Sequence, residues 1–152
     1  MKNTLSPRLK EKRYKRKRKS ILEGVSENSP SLSRAYQLTR KASRVGFDWP
    51  TIEGVLKKLD EEMTEFREAL DLKDKKKIQE EIGDMLFVMA NVSRFLGIDP
   101  EEALKRTLEK FMSRFHYIET SLSRAGKSFR DSNLVEMDRI WEESKRKEKR
   151  KN

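Results

Sequence analysis

An all-α fold follows from three observations on this 152-residue chain. Apolar residues recur at i, i+3, i+4 and i+7 in successive segments, and Gly, Pro, Asn and Asp fall between those segments. No stretch carries a strand signal. Helices without strands must bury their stripes on one another, so the expected architecture is a four-helix-bundle-like domain with a short extra C-terminal helix.

Taken in order, residues 1–30 lack sustained apolar periodicity and end in Ser26-Glu27-Asn28-Ser29-Pro30, a loop composition. They read as a basic, disordered tail and linker ahead of a helical domain over 31–145, with 146–152 as a basic C-terminal tail. From Ser31 a helix carries Leu32, Ala35, Leu38, Ala42 and Val45 on one side and stops at Gly46 and the Phe47-Asp48-Trp49-Pro50 turn. A second begins near Thr51 with the stripe Ile52, Val55, Leu56, Leu59, Met63, Phe66 and Leu70. The third, about 75–96, is apolar over a wider arc. Its stripe is Ile78, Ile82, Met85, Leu86, Met89, Val92 and Leu96, with Phe87, Val88 and Phe95 outside it, so it should be the most buried.

Gly97 closes that helix, and Asp99-Pro100-Glu101-Glu102 opens the fourth with an N-cap, Pro at the first helical position and an acid at the third. The fourth carries Leu104, Leu108, Phe111, Phe115, Ile118 and Leu122 to a stop near Gly126; a fifth follows Asn133 with Leu134, Met137, Ile140 and Trp141.

The net charge of +10 belongs to the ends of the chain. Residues 1–20 hold ten Lys or Arg against one acid and 145–152 six against one, whereas 21–144 is net −4. Such basic runs can hold nucleic acid non-specifically through phosphates, though like-charge runs are more often simply solvated. No apolar run reaches the ~20 residues a bilayer span needs, and Ile21-Leu22-Glu23-Gly24 is no signal-peptide core. The absence of cysteine excludes disulfides, a thiolate nucleophile and zinc–thiolate sites, and fits a cytoplasmic protein. No Walker A, G-x-G-x-x-G or G-x-S-x-G segment supports P-loop, kinase-like or serine-hydrolase chemistry.

Two acidic clusters carry the chemistry: Glu61-Glu62-Met63-Thr64-Glu65 and Glu80-Glu81-Ile82-Gly83-Asp84, on consecutive predicted helices. Glu62 and Glu65 lie one turn apart on a flank of one stripe, Glu81 and Asp84 on a flank of the next, so both pairs can face one cleft between antiparallel helices. Oxygen-only donors favour a hard divalent cation, Mg²⁺ where phosphates are handled. Glu61 and Glu80 lie further round, suited to water contacts. Acids flanking a stripe are also what an ordinary solvated boundary supplies, so spacing alone leaves both readings open. On the fourth helix Lys110 and Arg114 stand at i and i+4, a point charge and a fork for phosphate oxygens or an ordinary basic row. Trp141 and Lys145 could stack on a base and reach a phosphate. The lone His116 has no acid partner in its motif and reads as a boundary residue.

The segments Arg44-Val45-Gly46-Phe47-Asp48-Trp49, Leu59-Asp60-Glu61-Glu62-Met63-Thr64-Glu65, Glu80-Glu81-Ile82-Gly83-Asp84-Met85-Leu86-Phe87, Asn91, Arg94-Phe95-Leu96-Gly97, Glu109-Lys110-Phe111, Arg114-Phe115, Trp141 and Lys145 together resemble the MazG nucleoside triphosphate pyrophosphohydrolases over roughly 31–145. The likeness is to the second domain of two-domain members. It implies an all-α, dimeric, Mg²⁺-dependent hydrolase, with Mn²⁺ as a substitute, that cleaves a nucleoside triphosphate to the monophosphate and pyrophosphate in nucleotide-pool house-cleaning. It implies Glu62, Glu65, Glu81 and Asp84 as metal ligands and Glu61 and Glu80 as their support. Lys110 and Arg114 become phosphate contacts, and Lys41, Trp141 and Lys145 nucleotide contacts. The competing expectation is a basic helical nucleic-acid-binding protein, or a regulatory dimer without turnover.

Overall fold

The structure, a computed structural model, describes residues 20–150, which fall into two compact units divided between Gly97 and Ile98. The basic run 1–20, apart from Ser20, and the last two residues lie outside the described part. Among the described residues there is no strand, and no helix is long and apolar enough to cross a membrane.

The first unit holds α1 (Ser31–Ser43), α2 (Ile52–Asp71) and α3 (Lys75–Phe95). Each helix ends where the local chemistry dictates. Gly46, at φ +86°, takes the left-handed turn after α1 that a side chain would resist. Asp74 caps α3 by accepting from the Lys76 and Lys77 amides, 3.1 Å each, satisfying donors that have no partner within the helix. With only residues 72–74 between them, α2 and α3 pack as an antiparallel hairpin, and α1 packs on α3 as well. The apolar residues buried here are small: Ala35, Val55, Ala69, Val88 and Ala90. On α2 the buried line is Val55, Glu62 and Ala69, at seven-residue steps.

The burial of α3 departs from expectation. Its buried positions are Glu81, Val88, Ala90 and Asn91, whereas Ile82, Leu86 and Met89 of the expected stripe are exposed. The helix carries more apolar arc than α1 and α2 cover. They close over the Glu81–Val88 flank and leave the other open.

The second unit holds α4 (Pro100–Arg124), a 3₁₀ turn (Phe129–Asp131) and α5 (Leu134–Lys149). Asp99 caps α4 as expected, accepting from the Glu101 and Glu102 amides at 2.9 and 3.3 Å with Pro100 in the first turn. Asn133 caps α5 through the Glu136 amide, 2.9 Å. Ile118, Leu122 and Ile140 form a buried cluster, with Tyr117, Met137 and Trp141 against it. Only the last turns of α4 are covered in this way. Leu104, Leu108 and Phe111 stay exposed. The last helix runs on to Lys149, beyond its final apolar residue, because its charged turns are paired: Arg114 with Glu148 at 2.8 Å and Lys147 with Glu143 at 3.0 Å.

Candidate metal centre

Glu62 reaches the seam between α2 and α3 because it shares the buried line of Val55 and Ala69, and Glu81 because it sits seven residues before Val88 on α3. Both are 5% exposed. With Asp84, exposed at the rim, they bring one carboxylate oxygen each to within 4.8 Å of one another. Three acids at this spacing repel unless a cation is shared.

The protein supplies only part of that compensation. Lys58, one turn before Glu62, places its Nζ 2.7 Å from Glu62 Oε1 and 3.6 Å from Glu61 Oε2. The carboxylates in turn hold the Lys58 ammonium above its ordinary pKa, the hydrogen bond with Glu62 being the main cause. Among the described residues Glu81 has no bonded cation; Lys77, one turn before it, acts on it through charge alone. Its Oε2 is buried without a hydrogen bond, and desolvation, then the charges of Glu65 and Glu62, push its carboxyl above the usual range. A buried oxygen with no donor beside two further carboxylates is an arrangement that a bound cation would compensate. The donor set, all carboxylate oxygen, suits a hard divalent ion.

Glu65 lies outside this group of three, exposed and turned about 60° round the helix from Glu62, and acts on Glu81 through charge. Glu61 is engaged with Lys58, and Glu80 is exposed.

The remaining expected residues, Lys110 apart, are held by near neighbours. Lys41 Nζ donates to the Glu23 and Ile21 carbonyls, 2.7 and 3.4 Å, and so straps the segment before α1 onto that helix. In the second unit Arg114 gives both Nε and Nη2 to Glu148 Oε2, 3.1 and 2.8 Å, with its guanidinium 5.6 Å from the Trp141 ring centre. The indole packs against Phe111 at 5.5 Å between ring centres. Lys110 is exposed one turn before Arg114, and Lys145 pairs with Glu142 at 2.7 Å. His116 does have an acid beside it: Glu119, one turn on, has Oε2 3.2 Å from Nδ1. Both are on the surface.

Sequence reasoning missed Lys58, although its spacing of three and four residues to Glu61 and Glu62 was a signal for it. It also gave no role to a network beside Trp49. Asn91, 2% exposed, accepts from Arg94 Nε at 2.8 Å, and Arg94 Nη2 reaches Asp48 Oδ1 at 2.6 Å. An amide buried on an apolar helix face was its mark.

A helical pair that buries carboxylates against one another is the arrangement found in helical proteins able to hold a hard cation between antiparallel helices. Comparison with known proteins narrows the class. Residues 50–118, which contain all three carboxylates, match the MazG nucleotide pyrophosphohydrolase domain. The chain is 38% identical over 130 residues to the nucleoside triphosphate pyrophosphohydrolase/pyrophosphatase MazG of Thermotoga maritima, covering 86% of this chain and 50% of that protein. It is 34% identical over 142 residues to the nucleoside triphosphate pyrophosphohydrolase of Escherichia coli K12, covering 91% and 53%. An uncharacterized Bacillus subtilis protein, YabN, is 45% identical over 73 residues, 48% of this chain and 15% of that one. This chain thus carries a MazG-type domain. It spans about half the length of the first two relatives.

Proposed function

We propose that this protein hydrolyses nucleoside triphosphates to the monophosphate and pyrophosphate with Mg²⁺ as its resident ion, Mn²⁺ serving as a substitute. The observation that carries this reading is Glu81: a buried carboxylate with an unpartnered oxygen, facing Glu62 and Asp84 inside the segment that matches the MazG domain. Glu62, Glu81 and Asp84 would hold the ion, with Glu65 adding its charge from the rim. The ion, when bound, offsets charge on the α- and β-phosphates.

The chain's own groups do the rest. Lys58, beside Glu62, compensates that carboxylate in the absence of the ion. Glu61 and Glu80 support a water that attacks the α-phosphorus in line, a carboxylate of this pair takes the proton the water loses, and the bond from that phosphorus to the bridging oxygen of the β-phosphate breaks as pyrophosphate leaves. Lys110 and Arg114 take the phosphate oxygens as point charge and fork. The working domain is 31–145, and the basic segments at 1–30 and 146–152 add charge rather than chemistry. A second copy covers the apolar faces left open on α3, at Ile82, Leu86 and Met89, and on α4, at Leu104, Leu108 and Phe111. Clearance of unwanted nucleotides in the cytoplasm is the role that fits.

The test is product analysis with a panel of nucleoside triphosphates. Pyrophosphate released only with a divalent cation is the expected result; orthophosphate as first product, or an undiminished rate in EDTA, overturns the reading.

A further inference from the structure

The Val45–Pro50 turn is built with more care than a connection needs. Trp49 lies so close to α2 that a Cβ on Gly54 would stand 2.7 Å from its Cδ1. Its amide is fixed by Asp48 Oδ1, 2.9 Å away. That same oxygen takes Arg94 Nη2, and Arg94 Nε holds Asn91 Oδ1, so one guanidinium sets a carboxylate and an amide side by side. Among the described residues this leaves Asn91 Nδ2 without an acceptor and Asp48 Oδ2 without a donor.

Both side chains line a cavity of about 280 Å³ in the first unit, walled by Phe47, Trp49 and Phe87, with Leu38 and Ala42 of α1 and with Leu22 of the segment that Lys41 straps down. Aromatic and aliphatic walls with two convergent polar groups are how proteins take a planar heterocycle: the faces stack, and the polar atoms read one edge. Asn91 and Asp84 lie seven residues apart on nearly the same face of α3, about 10.5 Å along the axis. That is a separation a ribose can bridge between a phosphate at the carboxylates and a base in the cavity.

We propose that this cavity is the nucleobase subsite and that it takes a keto base, guanine or uracil. The amide Nδ2 of Asn91 donates to the base carbonyl, and Asp48 Oδ2 accepts from the adjacent ring N–H. Adenine and cytosine present an amino donor where Asn91 also donates, and an unprotonated ring nitrogen where Asp48 needs a proton; two mismatched groups disfavour them. The assignment rests on the pyrophosphohydrolase reading for the placing of the phosphates, but it can be tested without turnover.

Trp49 reports on the cavity directly. With Mg²⁺ present, titration with guanosine 5′-monophosphate or uridine 5′-monophosphate should quench the tryptophan fluorescence, and the quench should be lost in Trp49→Phe. The adenine and cytosine monophosphates should bind at least about fivefold more weakly. Ala42→Leu, which puts a larger side chain into the cavity, should abolish the response. Gly54→Ala, which pushes the indole aside, should weaken it. Both variants are checked for helix content and melting before titration. Equal quenching by all four monophosphates, a response untouched by Ala42→Leu, or a quench that persists in Trp49→Phe overturns the proposal. So does a Trp49 signal that follows protein concentration alone, which would give the cavity to a second copy. If pyrophosphate is released from triphosphates while no monophosphate reaches Trp49, the cavity assignment falls and the hydrolytic reading stands. If guanosine monophosphate binds at Trp49 but no triphosphate is cleaved, the subsite stands and hydrolysis falls.

Discussion

The two units of this molecule treat their carboxylates in opposite ways. In the second, Glu136 meets Lys127 at 2.8 Å, Glu143 meets Tyr117 and Lys147, and Glu148 takes the Arg114 fork. Hydrogen bonds from those partners hold all three carboxyls below the usual range. In the first, Glu81 is buried beside Glu62 and Asp84 with no donor, and its carboxyl is pushed upward. Those three acids of the second unit favour the folded chain, whereas the buried charge of Glu81 opposes it. That contrast separates charges that hold a structure from a charge whose burial the protein leaves uncompensated.

The largest effect should come from neutralising that uncompensated charge. Glu81→Gln should lower turnover on the order of 10³-fold while keeping or raising the metal-free melting temperature, because one repelling charge is gone. Loss of folding with unchanged turnover per folded molecule would make Glu81 a structural residue. Next in size, Leu122→Ala removes a 2% exposed side chain from the apolar cluster of the second unit and should destabilise by about 3 kcal/mol in denaturant titration. A value near zero would mean that this unit does not depend on its core.

Glu136→Gln sharpens the contrast through pH. A lowered folded pKa means that the stability Glu136 contributes is present above its ordinary value of 4.5 and is lost as pH falls through the folded one. The wild type should therefore lose melting temperature more steeply than Glu136→Gln on acidification below about 4.5. Glu81 has the reverse sign. Its raised carboxyl makes the metal-free protein less stable as pH rises from 4.5 through the folded value, a trend that Glu81→Gln should flatten. Parallel pH profiles for the two variants would erase the distinction. The smallest effect belongs to Lys58→Met. Removing the ammonium that shares Glu62 should tighten Mg²⁺ binding roughly threefold by calorimetry and lower the metal-free melting temperature. Weaker metal binding would place Lys58 on the side of the ion rather than against it.

The sequence made the helices legible because their signals are local. Asp99-Pro100 and Asn133 start helices where capping chemistry puts them, and Gly46 and Gly97 lie just past helix ends. The carboxylates were legible as a group because i and i+3 spacing survives into the structure. Their division was not. Glu62 belongs to the seven-residue line of Val55 and Ala69 while Glu65 turns away from it, and that depends on which flank of α2 meets α3. For the same reason Ile82, Leu86 and Met89 were expected inside: periodicity gives the width of an apolar arc, not how much of it one chain can cover. Asn91 and Asp48 were visible only as members of motifs, because what unites them is Arg94, 46 residues beyond Asp48 and one turn beyond Asn91.

As proposed, the Glu62–Glu81–Asp84 nest is a cation site whose repulsion is built into the metal-free fold. Thermal melting of the wild type and of Glu81→Gln at neutral pH, titrated with Mg²⁺ without nucleotide, tests it most directly. A saturable rise in the wild-type melting temperature and a much smaller one in Glu81→Gln are expected. Equal shifts in the two proteins, or none in the wild type, would contradict it.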